Sequence, residues 1–307
     1  MSETLIAIAL ATLGAGTPLV FAALGELVTE KSGVLNLGVE GMMLVGAVCG
    51  FAVAAESGNA WLGVLLAMCA GALMALLFAV LTLTFQANQV AAGLALTIFG
   101  VGLSAYIGLD YTSYSLTAIA PLHIPLLSDL PLLGPLLFSL DPLLYLSFAM
   151  FAAISWFLYR SRAGLLLRGI GESPDSAHAN GYPVLKVRYL ATMFGGAMAG
   201  LGGAYLALVY TPLWVEAMTA GRGWISLALV VFATWRPARV MVGAYLFGGI
   251  TIVQFHVQGL GVELPSQLLS TLPYLATIVV LVFISRNVNT IRLNSPASLG
   301  KPFHPSA

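Results

Sequence analysis

Charge is what this chain has least of. Lys, Arg, Asp and Glu make up only 8% of its 307 residues, and the twelve bases and twelve acids cancel to a net charge of zero. A soluble domain carries about 25% charged residues. So sparse a charge excludes an ordinary water-exposed surface, and without a basic excess no nucleic-acid partner is expected. Cysteine is nearly absent too. Cys49 and Cys69 both sit in apolar runs, which excludes a disulfide framework and offers no metal-ligand spacing. His123, His178, His256 and His304 are scattered without acidic or cysteine partners, so no metal site is expected. No Gly-rich phosphate loop of the Walker kind occurs, so ATP hydrolysis is not expected of this polypeptide. Nor is there a Ser/His or paired-acid cluster of the kind an intramembrane enzyme needs, and no catalytic residue is assigned. No Lys or Arg precedes Lys31, which argues against a cleaved signal peptide.

What remains is apolar. Hydrophobic residues are 59% of the chain, and glycine numbers 33. A membrane-crossing helix needs about 20 apolar residues. Runs of that kind fall at roughly 5–28, 34–55, 60–85, 89–109, 142–160, 189–210, 223–235, 240–258 and 267–285. The seventh is short and reads as a half-helix or a broken span. The expected fold class is an all-α polytopic membrane protein, a bundle of about eight to ten transmembrane helices. It divides into one transmembrane domain over 1–290, with an internal loop at 160–188, and a tail over 291–307.

Orientation follows from the positive charges. With the loop 160–188 in the cytoplasm, Lys31, Arg160, Arg162, Arg168, Lys186, Arg188, Arg236, Arg239, Arg286, Arg292 and Lys301 all fall inside. Only Arg222 falls outside. The N-terminus is then external and the C-terminus cytoplasmic. Trp224, beside Arg222, reads as an interfacial anchor or a gate at the outer end of the seventh run. The outer segment 110–141 carries Pro121, Pro125, Pro131 and Pro135 among leucines, and proline blocks regular helix. An external cap or a short re-entrant piece is expected there. Gly195, Ala199, Gly203 and Ala207 recur every four residues, beside a second row at Gly196, Gly200 and Ala204. Such rows let two helix backbones approach closely, within the chain or between subunits. Gly46, Gly50 and Ala54 form a similar row.

One stretch stands out. Ser32-Gly-Val-Leu-Asn36-Leu-Gly-Val-Glu40-Gly41 opens an otherwise apolar run with an amide and a carboxylate four residues apart. A charge at membrane depth costs at least ~2.5–3.5 kcal/mol, so Glu40 needs a partner. The spacing places Asn36 and Glu40 on one helical face. Two readings stand open: both residues face a solute pathway, with Glu40 accepting from cargo hydroxyl or N–H groups, or Glu40 is satisfied by neighbouring backbone donors and holds a helix break. Asn88 and Gln89 open the fourth run, either as pathway contacts or as a helix start, which Asn caps well.

The internal loop contains Gly171-Glu172-Ser173-Pro174-Asp175-Ser176-Ala177-His178-Ala179-Asn180-Gly181. Ser173 suits a cap, Pro174 the first helical position, Asp175 the positive dipole end and Gly181 the residue past the end. A short helix of about two turns is expected, serving as a docking element or as a plain connector.

These elements occur in order: Lys31–Met43, then Asn88-Gln-Val-Ala-Ala-Gly-Leu94, then Gly171–Gly181, then Arg188-Tyr-Leu190 and the Gly/Ala-rich run. Together they resemble the inner-membrane permease subunits of bacterial ABC importers of the branched-chain amino acid and simple-sugar group. The likeness is nearest to the shorter of the two paired nucleoside-type permeases. It covers about residues 5–290 and leaves Asn294–Ala307 outside.

The resemblance implies a permease that translocates nucleosides or a related small polar solute by alternating access. It implies a homologous second permease subunit, two ATP-binding domains that bind the ATP, and a periplasmic or lipoprotein solute-binding protein. No cofactor of its own is implied. Asn36, Glu40, Asn88 and Gln89 would flank the pathway, and Gly171, Glu172, Ser173, Pro174, Asp175, Ala177 and Gly181 would form the ATPase-coupling element. The alternative is a secondary transporter coupled to ions, for which Glu40 alone is a thin basis and no inverted repeat is evident.

Overall fold

The computed structural model describes residues 2–123, 134–259 and 294–304, with Pro125, Ser128, 271–272, 275–276 and 278–279 between them. Ten α-helices follow one another among these residues: α1 (Ser2–Lys31), α2 (Val39–Ser57), α3 (Ala60–Ala79), α4 (Gln89–Gly108), α5 (Pro142–Arg160), α6 (Arg162–Glu172), α7 (Pro174–Ala179), α8 (Val184–Tyr205), α9 (Arg222–Phe232) and α10 (Pro237–Gly259). Single π-helical turns extend α3 to Thr84 and α8 to Tyr210. Seven of the resulting segments are long and apolar enough to cross a bilayer. The expected span at 267–285 lies almost wholly outside the described residues, as does most of 124–133.

Local chemistry sets the helix ends. Asn59 caps α3 by accepting from the N–H groups of Trp61 and Leu62 at 3.0 and 3.2 Å. Ser161 caps α6 through Gly164 N at 2.9 Å. Asp141 caps α5 through Leu144 N at 2.8 Å, with Pro142 in the first turn. The other carboxylate oxygen of Asp141 accepts from the Tyr205 hydroxyl at 3.1 Å, which ties the start of α5 to the end of α8.

Helix α8 is the most buried of the spans and the axis of the bundle. Gly195 meets Gly25 and Thr29 of α1, and Gly196 and Gly200 lie on Ala67, Gly71 and Ala75 of α3. Gly203 lies on Met43 and Ala47 of α2. A Cβ on Gly203 would come within 2.8 Å of the Ala47 nitrogen, and one on Gly200 within 3.3 Å of the Gly71 Cα. The small-residue rows therefore seat neighbouring helices of the same chain. Gly46 of α2 abuts Gly200, and Gly50 and Gly63 bring α2 against α3.

The segment after α4 runs extended along the end of α8. Leu116 N donates to Pro212 O at 2.9 Å and Ile119 N to Leu208 O at 3.2 Å. Tyr111 donates to Glu56 near the end of α2. The described part of 110–141 thus covers the helix ends opposite the α1–α2 turn.

Candidate functional site

Among the described residues, two non-helical stretches inside the bundle are each held by a carboxylate. The first is Ser32–Gly38. Here α1 stops, Gly33 takes a left-handed φ of 91°, and α2 begins only at Val39. Buried backbone groups must find partners, and these do. Leu35 N donates to Gln89 Oε1 at 2.8 Å, and Asn36 N to Glu26 Oε1 at 3.2 Å. Gly38 N donates to Asn36 Oδ1 at 3.0 Å, and Leu37 O accepts from Thr97 Oγ1 at 3.0 Å. Glu26 on α1 also receives the Asn36 amide at 3.4 Å.

The second break follows α8. Residues Thr211–Gly221 are non-helical, and α9 then runs for only 11 residues. At 1.5 Å per residue that is roughly 16 Å, about half a bilayer core. A half-helix leaves unpaired N–H groups and the positive end of its dipole inside the protein. Its cap position is Gly221, which has no side chain to offer. Glu40 takes that role from α2. Its Oε1 accepts from Thr219 Oγ1 at 2.6 Å and Gly221 N at 2.9 Å, and its Oε2 accepts from Gly223 N at 2.6 Å. Gly223 is glycine of necessity: a Cβ there would sit 2.5 Å from the Glu40 backbone.

A third carboxylate holds the far end of α9. Thr234 and Trp235 both have left-handed backbones, at φ 48° and 52°, a conformation that costs non-glycine residues of order 1–3 kcal/mol each. The Trp235 indole N–H donates to Glu30 of α1, and Arg239 donates to Thr234 Oγ1 at 2.7 Å. Glu26, Glu30 and Glu40 are all buried, and each is bonded to a place where helix is interrupted.

Residues 8–284 match the family of branched-chain amino acid transport system permease components. The chain belongs to this family. It is 42% identical to the putative glucose ABC transporter permease protein TsgC13 of Haloferax volcanii, over 94% of each chain. It is 33% identical to the guanosine ABC transporter permease protein NupQ of Bacillus subtilis over 95% of each. It is 32% identical to the nucleoside ABC transporter permease protein NupC of Lactococcus lactis subsp. cremoris, over 86% of this chain and 88% of the relative. The protein is therefore an ABC transporter permease subunit, and ion-coupled secondary transport is not favoured.

In this permease Asn36 and Glu40 do not share a helical face. The four-residue spacing implied a helix through both, but α2 starts between them. Asn36 turns back to Glu26 and Gly38, while Glu40 points to the start of α9. Asn88 caps α4 through Ala91 N at 3.0 Å, and Gln89 is buried against Leu35. Both line a cavity of about 280 Å³ with Leu35, Gln86 and Gly300. Arg222 and Trp224, expected at the outer end of the seventh run, stand instead at the start of α9 beside the first turn of α2, the end of α2 that follows Lys31. The break puts them there, because the chain returns into the bundle before α9 begins.

The loop between α5 and α8 forms two helices. Ser173 caps α7 through Ser176 N at 3.4 Å, Pro174 fills the first turn, and Gly181 follows the end at φ 80°. Glu172 closes α6; in α7 Asp175, Ser176, His178 and Ala179 are exposed, while Pro174 and Ala177 are half-buried and Ala177 packs toward Ile170, Val184 and Phe303. Gly171 abuts the α1–α2 turn, where a Cβ would lie 3.3 Å from Gly33 N. The residues that sequence reasoning missed are Glu26, Glu30, Thr219, Gly221, Gly223 and Trp235. Glu26 stood in plain view as the one carboxylate within the apolar run 5–28, where a charge needs a partner.

Proposed function

We propose that this permease carries a nucleoside or a closely related small polar solute, and that the two breaks flank its route. The observation that carries the cargo reading is likeness over most of the chain to relatives named for guanosine and for nucleosides. A free sugar is the second reading, favoured by the relative named for glucose. A chain with so few fixed charges suits an uncharged, hydrogen-bonding cargo of either kind.

The working assembly is this subunit with a homologous second permease, two ATP-binding domains and a periplasmic or lipoprotein solute-binding protein in a bacterial inner membrane. The subunit itself needs no cofactor and carries out no covalent chemistry; ATP is hydrolysed by its partners. The external N-terminus and cytoplasmic C-terminus follow from the distribution of Lys and Arg. The capped helix α7, exposed on one side, together with Gly171, Glu172, Ser173, Pro174, Asp175, Ala177 and Gly181, is the element on which an ATP-binding domain seats. ATP-driven closure then moves α6 and α7, and the interrupted helices change their packing so that the route opens to one side and then the other. Glu40 keeps the start of α9 in place along that route. Its oxygens are taken by Thr219, Gly221 and Gly223, so its part is to hold the wall rather than to bind cargo.

The test is reconstitution of the complete transporter in proteoliposomes with radiolabelled guanosine, other nucleosides and glucose. ATP-dependent nucleoside accumulation is expected. Accumulation of glucose without any nucleoside would overturn the first reading in favour of the second.

A further inference from the structure

We infer that the segment Asn294–His304 is a strap that transmits movement of the α6–α7 loop to the first break, with Arg188 and Ser298 as its positioning residues. The inference rests on the reading of α7 as the ATPase-docking helix. Three stretches distant in sequence meet here. Ser298 donates twice to Gly171 O at the end of α6, from its backbone N at 3.0 Å and its hydroxyl at 2.6 Å. Arg188, fully buried on α8, donates from Nη2 to Ser298 Oγ at 3.0 Å and from Nε to Ser32 O at 3.1 Å. Its Nη1 reaches Lys301 O at 3.5 Å. Gly300 N donates to Gly33 O at 3.1 Å, and Lys31 Nζ to Asn294 O at 2.6 Å. Phe303 is buried beside Ile170 and Val184, edge-on to His178 of α7 at 5.6 Å.

The mechanics follow from the kinds of contact. Gly171 touches the Lys31–Gly33 turn directly, and such a contact resists compression steeply but separation only weakly, each atom pair attracting by about 0.1–0.2 kcal/mol. Alternating access needs both directions. The strap supplies the pull, because its hydrogen bonds grip Gly171 and Gly33 at once and Arg188 lies beneath both. Separating them would cost the buried guanidinium of Arg188 either Ser32 O on the turn or Ser298 Oγ and Lys301 O on the strap, and a buried charged donor that loses an acceptor is costly. The α6–α7 loop and the turn leading to Asn36 therefore move as one body.

The experiment uses the complete transporter in proteoliposomes. Three forms are compared with the unaltered protein: a chain ending at Leu293, Ser298→Ala and Arg188→Lys. Co-purification of the ATP-binding subunit, ATP hydrolysis and solute uptake are measured together. Association and hydrolysis are expected to persist. Uptake is expected to fall at least tenfold in the shortened chain and in Arg188→Lys, and about threefold in Ser298→Ala. Stimulation of hydrolysis by the loaded binding protein should be lost in parallel. Unchanged uptake and stimulation in both point variants would overturn the strap, and they decide the matter if the shortened chain does not fold. Loss of the ATP-binding subunit from all three forms would overturn it as well, by making the segment a docking surface. Cross-linking of α7 to the ATP-binding subunit in the unaltered protein tests the docking reading separately.

Discussion

The carboxylate of Glu40 accepts the backbone N–H of Gly223 at 2.6 Å, across 183 positions of sequence. One bond thereby joins the first turn of α2 to the first turn of a half-helix. A half-helix beginning inside a membrane protein must have its N–H groups satisfied by protein, since lipid offers no acceptors. Glu26 and Glu30 do similar work at the α1–α2 turn and at the Thr234–Trp235 turn. The breaks and their acids form one system.

Glu40→Ala strips acceptors from two backbone donors and one hydroxyl at once. Hydrogen bonds to a charged group are worth about 1.5–3 kcal/mol each, so the variant is expected to lose at least about 3 kcal/mol of stability. Glu40→Gln keeps one acceptor but turns an NH2 group toward a donor, and should lose about half as much. Thermal unfolding in detergent reads both. Uptake kinetics then separate the roles of Glu40. A residue that holds the wall lowers the number of active transporters and leaves the KM for cargo unchanged. A raised KM with intact stability would show direct contact with cargo.

Gly223→Ala reaches the same bond from the other side. The added Cβ would stand 2.5 Å from the Glu40 backbone and 2.7 Å from its Oε2, so α9 must shift away from α2. Overpacking of this kind costs typically 1–3 kcal/mol. The double variant with Glu40→Ala should cost clearly less than the sum of the two single changes, because both act on one contact. Additivity in a double-mutant cycle would contradict a shared origin.

Much of this architecture could be read from residue order alone. The apolar runs, the short seventh span, the small-residue rows of α8 and the caps of α7 all follow from local pattern. The Asn36–Glu40 relation did not, because four-residue spacing means a shared face only if the helix is continuous. Continuity was lost to partners that helical spacing does not reveal: Gln89 and Thr97, 54 and 60 positions from the residues they bond, and Glu26, 10 positions back in the preceding helix. Arg222 and Trp224 were misplaced for a related reason: a chain that re-enters the bundle breaks the alternation of sides on which counting depends. Asn294–His304 carries too little pattern of its own to announce that it packs on Arg188.

Asp141 gives a prediction with pH. Burial raises its carboxyl above the ordinary Asp range, although Leu144 N and the Tyr205 hydroxyl oppose the shift. The folded chain therefore holds this proton more tightly than the unfolded chain does. Its contribution to stability is fully present below the ordinary value of about 3.9 and is lost as pH rises through the higher folded value. Asn is also a good cap, so Asp141→Asn should keep α5 while removing that pH dependence. Unfolding midpoints measured from pH 4 to neutrality should fall more for the unaltered protein than for the variant. Parallel curves would refute the assignment.

Ser173 offers a test of α7 that leaves the membrane bundle alone. Its hydroxyl oxygen accepts from Ser176 N at 3.4 Å, and its own hydroxyl donates to Ser176 Oγ at 2.7 Å. Losing a Ser cap costs typically about 1 kcal/mol, which a bundle of long spans would scarcely register but a six-residue helix should. With α7 as the seat of the ATP-binding domain, Ser173→Ala should weaken association about fivefold, the affinity equivalent of that 1 kcal/mol. The unfolding temperature of the permease itself should barely change. Ser173→Asp, which restores a capping oxygen, should recover most of the affinity. A plain connector would show no change in association with either variant, so titrating the purified ATP-binding subunit against the three proteins separates a docking helix from a loop that merely happens to be helical.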